Sequence, residues 1–159
     1  MMRGLNAAQE TLTSQAYGSG NLRLCGLYLN RGRFILTTFF IIFAILPSMF
    51  AEQIFLALKQ DPEVSRLTQT QILVTLPSVF FYAQFDLYKK WLACQRITFV
   101  PLIAILIATS LHVPFCLLFV NYFNLDIFGL GLASSCKDLV LLSSVMIYGS
   151  CSKDISPVL

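Results

Sequence analysis

The sequence is poor in charged residues and in residues that hold metal ions. Charged residues make up 12% of its 159 positions, about half of the fraction usual in a soluble globular domain. It has one histidine, and five single cysteines that form no C-x-x-C pair: Cys25, Cys94, Cys116, Cys136 and Cys151. Neither a zinc site nor a disulfide framework is therefore predicted. The formal net charge of +3 is also too small to indicate a nucleic-acid partner.

Sequence motifs of enzymes are missing as well. The sequence has no nucleophile elbow, phosphate-binding loop, pair of catalytic acids or metal-binding cluster, so we expect no enzyme activity and no cofactor. Its first thirty residues contain no apolar core, so no cleavable signal peptide is expected. Apolar residues make up 57% of the chain, and its mean hydropathy is +0.73. These features predict a multi-pass integral membrane protein in direct contact with membrane lipids.

Four stretches of the sequence are long and apolar enough to cross a membrane, which takes roughly 20 residues of helix. They are residues 34–58, 71–92, 97–120 and 127–148. Strands are excluded at this depth because an open sheet cannot satisfy its edges in lipid. The predicted fold class is therefore an all-α membrane protein with a bundle of four transmembrane helices.

Basic residues are concentrated in the connections on one side of these four helices. That side carries Arg23, Arg31, Arg33, Lys89, Lys90, Arg96 and Lys153. On the other side Lys59 and Arg66 are offset by Asp61 and Glu63, and the last loop carries only Asp126. The positive-inside rule then places the basic side, and with it both termini, in the cytoplasm.

Residues 3–17 predict a short helix with an apolar and a polar face. Helical spacing puts Leu5, Ala8, Leu12 and Ala16 on one face, and Asn6, Glu10, Ser14 and Tyr17 on another. Fifteen helical residues reach only roughly 22 Å, too short to span the membrane. Two interpretations stay open: a helix lying on the membrane surface, or the cytoplasmic half of a spanning helix whose polar strip lines a water-filled cavity.

Four segments of the sequence resemble motifs of eukaryotic multidrug and toxin extrusion (MATE) transporters. Residues 4–18 (GLNAAQETLTSQAYG) are similar to the motif at the end of the second family helix, and residues 26–31 (GLYLNR) to the beginning of the third. Residues 60–67 (QDPEVSRL) are similar to the loop between the third and fourth helices. Residues 125–133 (LDIFGLGLA) are similar to the start of the sixth. The four segments occur in the family's order, with predicted helices between them.

The resemblance implies a twelve-helix fold in two lobes. Residues 3–17 would be the inner half of the second helix, and the whole of 1–159 a partial first lobe. The first helix, the outer half of the second and the second lobe would be missing partners. The implied function is secondary active transport, in which protons or cations such as sodium are exchanged for organic cations and other xenobiotics. The membrane would be the plasma membrane or a vacuolar or other organellar membrane. Two rival functions are a non-transporting membrane scaffold derived from a transporter, and a related lipid-linked flippase.

The candidate residues of the transport path on the first predicted helix are Asn6, Glu10 and Gln15. Glu10 and Gln15 match the family motif, and Asn6 lies on the same polar strip as Glu10. Glu10 has two interpretations, a carboxylate that lines a cavity or a fixed contact between helices; for Gln15 a structural role is favoured. The coupling carboxylates of the resembling family lie on its first helix or in its second lobe, so they have no counterpart in this chain.

Three acidic or basic positions deeper in the chain also require explanation. Lys137 and Asp138 follow Ile127 by about 15 Å of helix, which places them near the midplane of the membrane. Inserting a charged side chain at this depth costs at least ~2.5 kcal/mol. Asp138 either binds a proton or cation, or forms a neutralised, partly hydrated pair within the bundle. Neighbouring residues point about 100° apart on a helix, so we expect imperfect pairing with Lys137, and we expect Asp138 to face the interior. Asp86 should form helical ion pairs with the lysines three and four residues later.

Overall fold

The computed structural model describes residues 2–123 and 125–151, and in these ranges the chain is helical with short connections. The predicted all-α class is confirmed. Lys153, which contributed to the predicted orientation, lies outside the described residues, and the side chains of Leu5 and Asp126 are likewise outside them.

The first helix, α1 (Met2–Gly18), is followed by a tight turn into the next helix. Gly20 takes a positive φ of 75° in this turn, a conformation that glycine adopts without steric cost. The side chain of Asn21 then caps α2 (Leu22–Phe40) by accepting a hydrogen bond from the Leu24 backbone N–H at 3.1 Å. The turn and the cap together bring α1 back against α2.

The first apolar helix differs from the predicted span 34–58 at both ends. Helix α2 continues through a π-helical turn (Ile41–Ile45) into α3 (Leu46–Met49), so the apolar helix covers Leu22–Met49. It begins earlier because the arginines before residue 34 are good helix formers and do not end a helix. It ends earlier because the backbone leaves the helical region at Phe50, whose φ is −105° and ψ is 10°, after a π-helical turn has accommodated Pro47. A separate short helix, α4 (Ala51–Ala57), follows the break.

The predicted span 71–92 lies inside a much longer helix, α5 (Pro62–Cys94). Asp61 caps it by accepting from the Glu63 N–H at 2.9 Å, and Pro62 occupies the first turn, where its missing donor is harmless. Within the described residues three helices are long and apolar enough to cross a membrane, and α5 is not among them. The structure thus supports three of the four predicted spans by length and composition.

The other two predicted spans agree closely with the structure. Helix α6 (Phe99–Leu117) continues through a second π-helical turn (Leu118–Tyr122), and α7 covers Asp126–Cys151. The corresponding apolar spans are Phe99–Tyr122 and Ile127–Cys151, which differ from 97–120 and 127–148 by at most three residues.

The core lies where α2, α5, α6 and α7 meet. Its largest fully buried side chains are those of Trp91 and Phe85 from α5 and of Leu29 and Leu36 from α2. The Trp91 indole donates to the Cys25 carbonyl at 3.1 Å, which satisfies the buried N–H. The rim of the bundle is apolar too: Leu102, Leu106 and Val113 are exposed along α6. In a soluble protein such a surface would be unfavourable, whereas lipid can cover it.

Candidate functional site

The face of α1 that packs into the bundle differs from the predicted polar face: Asn6 is its one buried member, and Ala16, which was predicted on the apolar face, is buried as well. Asn6, Gln9 and Thr13 are buried, Asn6 to 1% exposure, whereas Leu12 on the opposite side is exposed. A helix lying alone on the membrane surface would turn Asn6 and Thr13 toward water. The observed packing places this face of residues 3–17 against the other helices and not toward water.

A cluster of charged and amide side chains connects α1 to α5. We call Asn6, Glu10, Asp86, Lys89 and Lys90 the α1–α5 cluster. Asn6 Nδ2 donates to Asp86 Oδ2 at 3.0 Å. Asp86 also pairs with Lys89 at 3.1 Å and with Lys90 at 4.0 Å, which confirms the two predicted helical ion pairs. The contact of Asp86 with α1 was not predicted, since sequence spacing identifies neighbours on one helix but not on another.

Glu10 lies at the outer edge of this cluster. Its carboxylate is 3.5 Å from the Lys90 ammonium, and its side chain is about half exposed (46%). The structure therefore contains the interhelical contact that one of the two interpretations of Glu10 required. Two acids and two lysines make the cluster formally neutral, so the attraction of the lysines offsets part of the desolvation cost of the buried Asp86 carboxylate.

Gln15 is separated from the buried part of the cluster. It is exposed on α1, where it borders an open depression together with Glu10, Thr11 and Ser14. Of the three candidates on α1, the structure thus brings Asn6 into the bundle and leaves Glu10 and Gln15 accessible from outside it.

A second buried charge lies between α5 and α7. We call Ser78, Lys137 and Asp138 the α5–α7 cluster. Asp138 is 2% exposed, which confirms that it faces the interior. Its Oδ2 accepts from the Ser78 hydroxyl at 2.5 Å, and its Oδ1 lies 3.0 Å from the Lys137 ammonium. The long, flexible lysine side chain bends back along the helix to the neighbouring carboxylate. Asp138 Oδ1 nevertheless has no hydrogen-bond partner among the described residues, which agrees with the expected imperfect pairing.

The two clusters occupy different depths along the same helix. Ser78 and Asp86 are both on α5, eight residues apart, which corresponds to about 12 Å along the axis. Ser78 was missed by sequence analysis because a single serine after Pro77 gives no periodic signal. Helix α5 therefore joins both buried charges to its neighbours.

Buried polar atoms remain around the α1–α5 cluster. Asn6 Oδ1, Gln9 Oε1 and Thr13 Oγ1 have no hydrogen-bond partner among the described residues. Gln9 packs so closely on Gly32 of α2 that a Cβ at Gly32 would lie 2.5 Å from Gln9 Oε1. A cavity of about 260 Å³ opens beside these two residues. Such acceptors can bind water or a donor group of a ligand.

Comparison with known proteins gives consistent similarities. The MatE family model matches residues 1–118. Multidrug and toxin extrusion protein 1 of Xenopus tropicalis is 38% identical over 139 residues, which cover 86% of this chain and 23% of that protein. The Rattus norvegicus protein of the same name is 35% identical over 91% of this chain and 25% of its own length. Protein DETOXIFICATION 52 of Arabidopsis thaliana is 30% identical over 89% of this chain and 28% of its own. The chain spans about a quarter of the length of these curated relatives.

Proposed function

The chain belongs to the multidrug and toxin extrusion (MATE) family, and on this basis we propose that it is part of a secondary active transporter that exchanges protons or other cations for organic cations and related xenobiotics. The observation in the structure that supports this most is the buried Asp138, held in an apolar bundle by one lysine and one hydroxyl. Intramembrane ionisable groups commonly belong to ion or substrate pathways.

We propose that α5 is the fourth transmembrane helix, even though its composition is less apolar than that of the other three. At 1.5 Å per residue its 33 residues measure about 50 Å, more than the ~30 Å hydrocarbon core. Three polar residues in the apolar part of α5, Ser78, Gln84 and Asp86, are buried in the bundle. Because these groups face protein and not lipid, they lower the mean hydropathy of α5 without preventing it from spanning the membrane.

In this proposal residues 1–159 form a partial first lobe of a two-lobe fold. Helix α1 supplies the inner half of the second family helix, and its accessible residues Glu10 and Gln15 face parts of the fold beyond this chain. Asn6 holds α1 against α5. The second lobe is a required partner, since alternating access moves one half of such a fold against the other.

We propose that the α5–α7 cluster couples the ion to transport. In the structure Lys137 forms an ion pair with Asp138 Oδ1, and the Ser78 hydroxyl donates a hydrogen bond to Asp138 Oδ2. A proton or cation bound to Asp138 would replace the lysine, whose side chain is already about a quarter exposed (26%). The lysine and the ion would thus occupy the same carboxylate alternately, as exchange requires.

The proposed orientation, with the basic connections and both termini in the cytoplasm, can be tested by labelling. Single cysteines are introduced at Asp61 and Arg96 in a background in which the five native cysteines, all free thiols, are replaced. A membrane-impermeant maleimide should label position 61 from outside the cell and position 96 only after permeabilisation, because the two positions lie at opposite ends of α5. Labelling of position 96 in intact cells would disprove the four-span orientation.

Transport itself is tested in a chimaera in which this chain replaces the matching quarter of the Xenopus tropicalis relative. We expect pH-dependent uptake of a fluorescent organic cation by cells that express the chimaera. Asp138→Asn should change the shape of the pH profile, because the amide cannot exchange a proton for the lysine. Glu10→Gln, the same carboxylate-to-amide change at an accessible position, should reduce uptake at every pH without changing that shape.

The rival functions predict other outcomes of this experiment. A chimaera that reaches the cell surface in normal amounts and does not transport would favour a scaffold. Translocation of a labelled lipid-linked sugar, with no cation uptake, would favour a flippase. An unchanged pH profile in Asp138→Asn would remove Asp138 from ion coupling while leaving cation transport open.

A further inference from the structure

A cavity separate from both charged clusters opens between α2, α5 and α7. Its volume is about 370 Å³. Polar groups from Arg33, Thr37 and Gln84 line one part of it, and Phe34, Leu142 and Met146 line another. The cavity is therefore amphipathic, with a cation and an amide on one side and apolar side chains on the other.

Arg33 contributes a positive charge that no carboxylate of the described residues neutralises. Its guanidinium lies 5.4 Å from the centre of the Tyr88 ring, in cation–π contact. Among the described residues no acidic side chain forms an ion pair with it. A guanidinium in this state is suited to a phosphate, which it can bind with two parallel hydrogen bonds.

Gln84 contributes a buried acceptor that has no hydrogen-bond partner in the described ranges. Its side chain is 5% exposed, and its Oε1 accepts no hydrogen bond within the described part of the chain. The orientation of the amide follows from Thr37, whose hydroxyl donates to the Arg33 carbonyl at 2.8 Å and can therefore only accept from Gln84 Nε2, at 3.1 Å. Gln84 Oε1 is thus left for a donor from a ligand, and buried polar atoms of this kind are generally satisfied.

The level of the cavity in the bundle matches that of lipid headgroups. Tyr88 directly precedes Lys89 and Lys90, and aromatic and basic residues of this kind collect at membrane interfaces. Phe34, next to Arg33, is 75% exposed and faces the outside of the bundle. A molecule in the cavity can therefore have its polar end at Arg33 and its apolar end along Phe34 in lipid.

We propose that this cavity binds the headgroup of an anionic phospholipid that carries free hydroxyl groups, of the phosphatidylinositol or phosphatidylglycerol class. Arg33 binds the phosphate, and a headgroup hydroxyl donates to Gln84 Oε1. The positive charge of Arg33 disfavours organic cations at this site, which is distinct from the proposed transport path. Only the choice of leaflet, the cytoplasmic one, depends on the orientation proposed above. In that leaflet, basic pockets between helices bind the headgroups of anionic lipids.

The test measures lipid binding to the purified chain, and it requires no transport. The protein in detergent is titrated with phosphatidylinositol, phosphatidylglycerol, phosphatidic acid or phosphatidylcholine of identical acyl chains, and bound lipid is counted by native mass spectrometry. We expect the first two to bind roughly tenfold more tightly than phosphatidylcholine, a difference that one charge-assisted contact readily provides. Phosphatidic acid, which has the phosphate but no headgroup hydroxyl, should be intermediate.

Variants separate the site from general charge attraction. Arg33→Gln should abolish the preference for anionic lipids, and Gln84→Leu should make phosphatidylinositol and phosphatidic acid bind equally. Arg31→Gln is the matched control, because Arg31 is an exposed arginine on the same helix that lines a different cavity. If Arg33→Gln does not fold, as judged by circular dichroism, Arg33→Lys replaces it and should weaken binding because the forked contact is lost.

Three outcomes would overturn the proposal. Equal binding of phosphatidylinositol and phosphatidylcholine by the unmodified chain would show that the cavity has no headgroup preference. An equal loss of the preference for anionic lipids in Arg31→Gln and Arg33→Gln would show that lipids bind by diffuse charge attraction and not at this cavity. Displacement of the lipid by millimolar inositol phosphate or inorganic phosphate as efficiently as by phosphatidylinositol would assign the cavity to a soluble anion and not to a lipid.

Discussion

Gly129→Ala should destabilise the protein by about 3 kcal/mol, the upper end of the usual cost of overpacking. A Cβ at Gly129 would lie 2.9 Å from the carbonyl oxygen and 3.0 Å from the carbonyl carbon of Phe119. These are backbone atoms of the π-helical turn that follows α6, so a rotamer change cannot make room. The start of α7 would have to move away from α6. Thermal unfolding of the purified protein in detergent, followed by circular dichroism, measures the loss.

Two further glycines serve as controls for this prediction. A Cβ at Gly4 of α1 meets nothing within 4 Å, so Gly4→Ala should stabilise its helix by roughly 0.5–1 kcal/mol. At Gly131 the closest atom is the side-chain Cγ1 of Val74, at 2.6 Å. Gly131→Ala should therefore be partly rescued by Val74→Ala, whereas Phe119→Ala should not rescue Gly129→Ala. A rise in melting temperature for Gly129→Ala would mean that α7 does not approach the turn this closely.

The helices of this fold follow from the sequence to a large extent, because long apolar runs and caps are local features. The predicted helix over residues 3–17 corresponds to α1. The start of α5 was predicted nine residues too late, at residue 71, because the polar residues of its first turns, which the family comparison assigned to a loop, lower the hydropathy there. The end of the first apolar helix was not predicted. Its position depends on how Pro47 is accommodated by a π-helical turn before it and a break after it, which hydropathy does not report.

The contacts of the candidate site were predictable only within single helices. The pairing of Asp86 with two lysines follows from a spacing of three and four residues. The bonds from Asn6 to Asp86 and from Ser78 to Asp138 join positions 80 and 60 residues apart. Periodicity identifies the face of a helix, but the partner on that face depends on how helices are arranged around it. For the same reason the face of α1 that is buried, with Gln9, Thr13 and Ala16 beside Asn6, became apparent only in the fold.

Lys137→Met should lower stability more than removal of both members of its ion pair. The substitution leaves Asp138 buried, with Ser78 as its remaining hydrogen-bond partner among the described residues. Breaking a buried pair by removing one partner usually costs about 3–5 kcal/mol. Lys137→Met/Asp138→Leu removes both charges and should recover most of this loss, because no uncompensated charge remains. Melting temperatures in detergent, measured for both variants and the unmodified protein at pH 7, give the comparison.

The matched control for this prediction is Lys89→Met, which removes a lysine from an ion pair of nearly equal length. Lys89 lies 3.1 Å from Asp86, and Lys137 lies 3.0 Å from Asp138. Asp86 keeps Asn6 and Lys90 as partners after the change, so Lys89→Met should cost less than about 1 kcal/mol. Equal decreases in melting temperature for Lys137→Met and Lys89→Met would show that Asp138 has other neutralising partners. A double variant no more stable than Lys137→Met would show that packing between α5 and α7 determines the loss of stability. A large, charge-dependent loss at Lys137 alone would mean that Asp138 depends on a single positive charge, the condition under which an incoming proton or cation can compete for it.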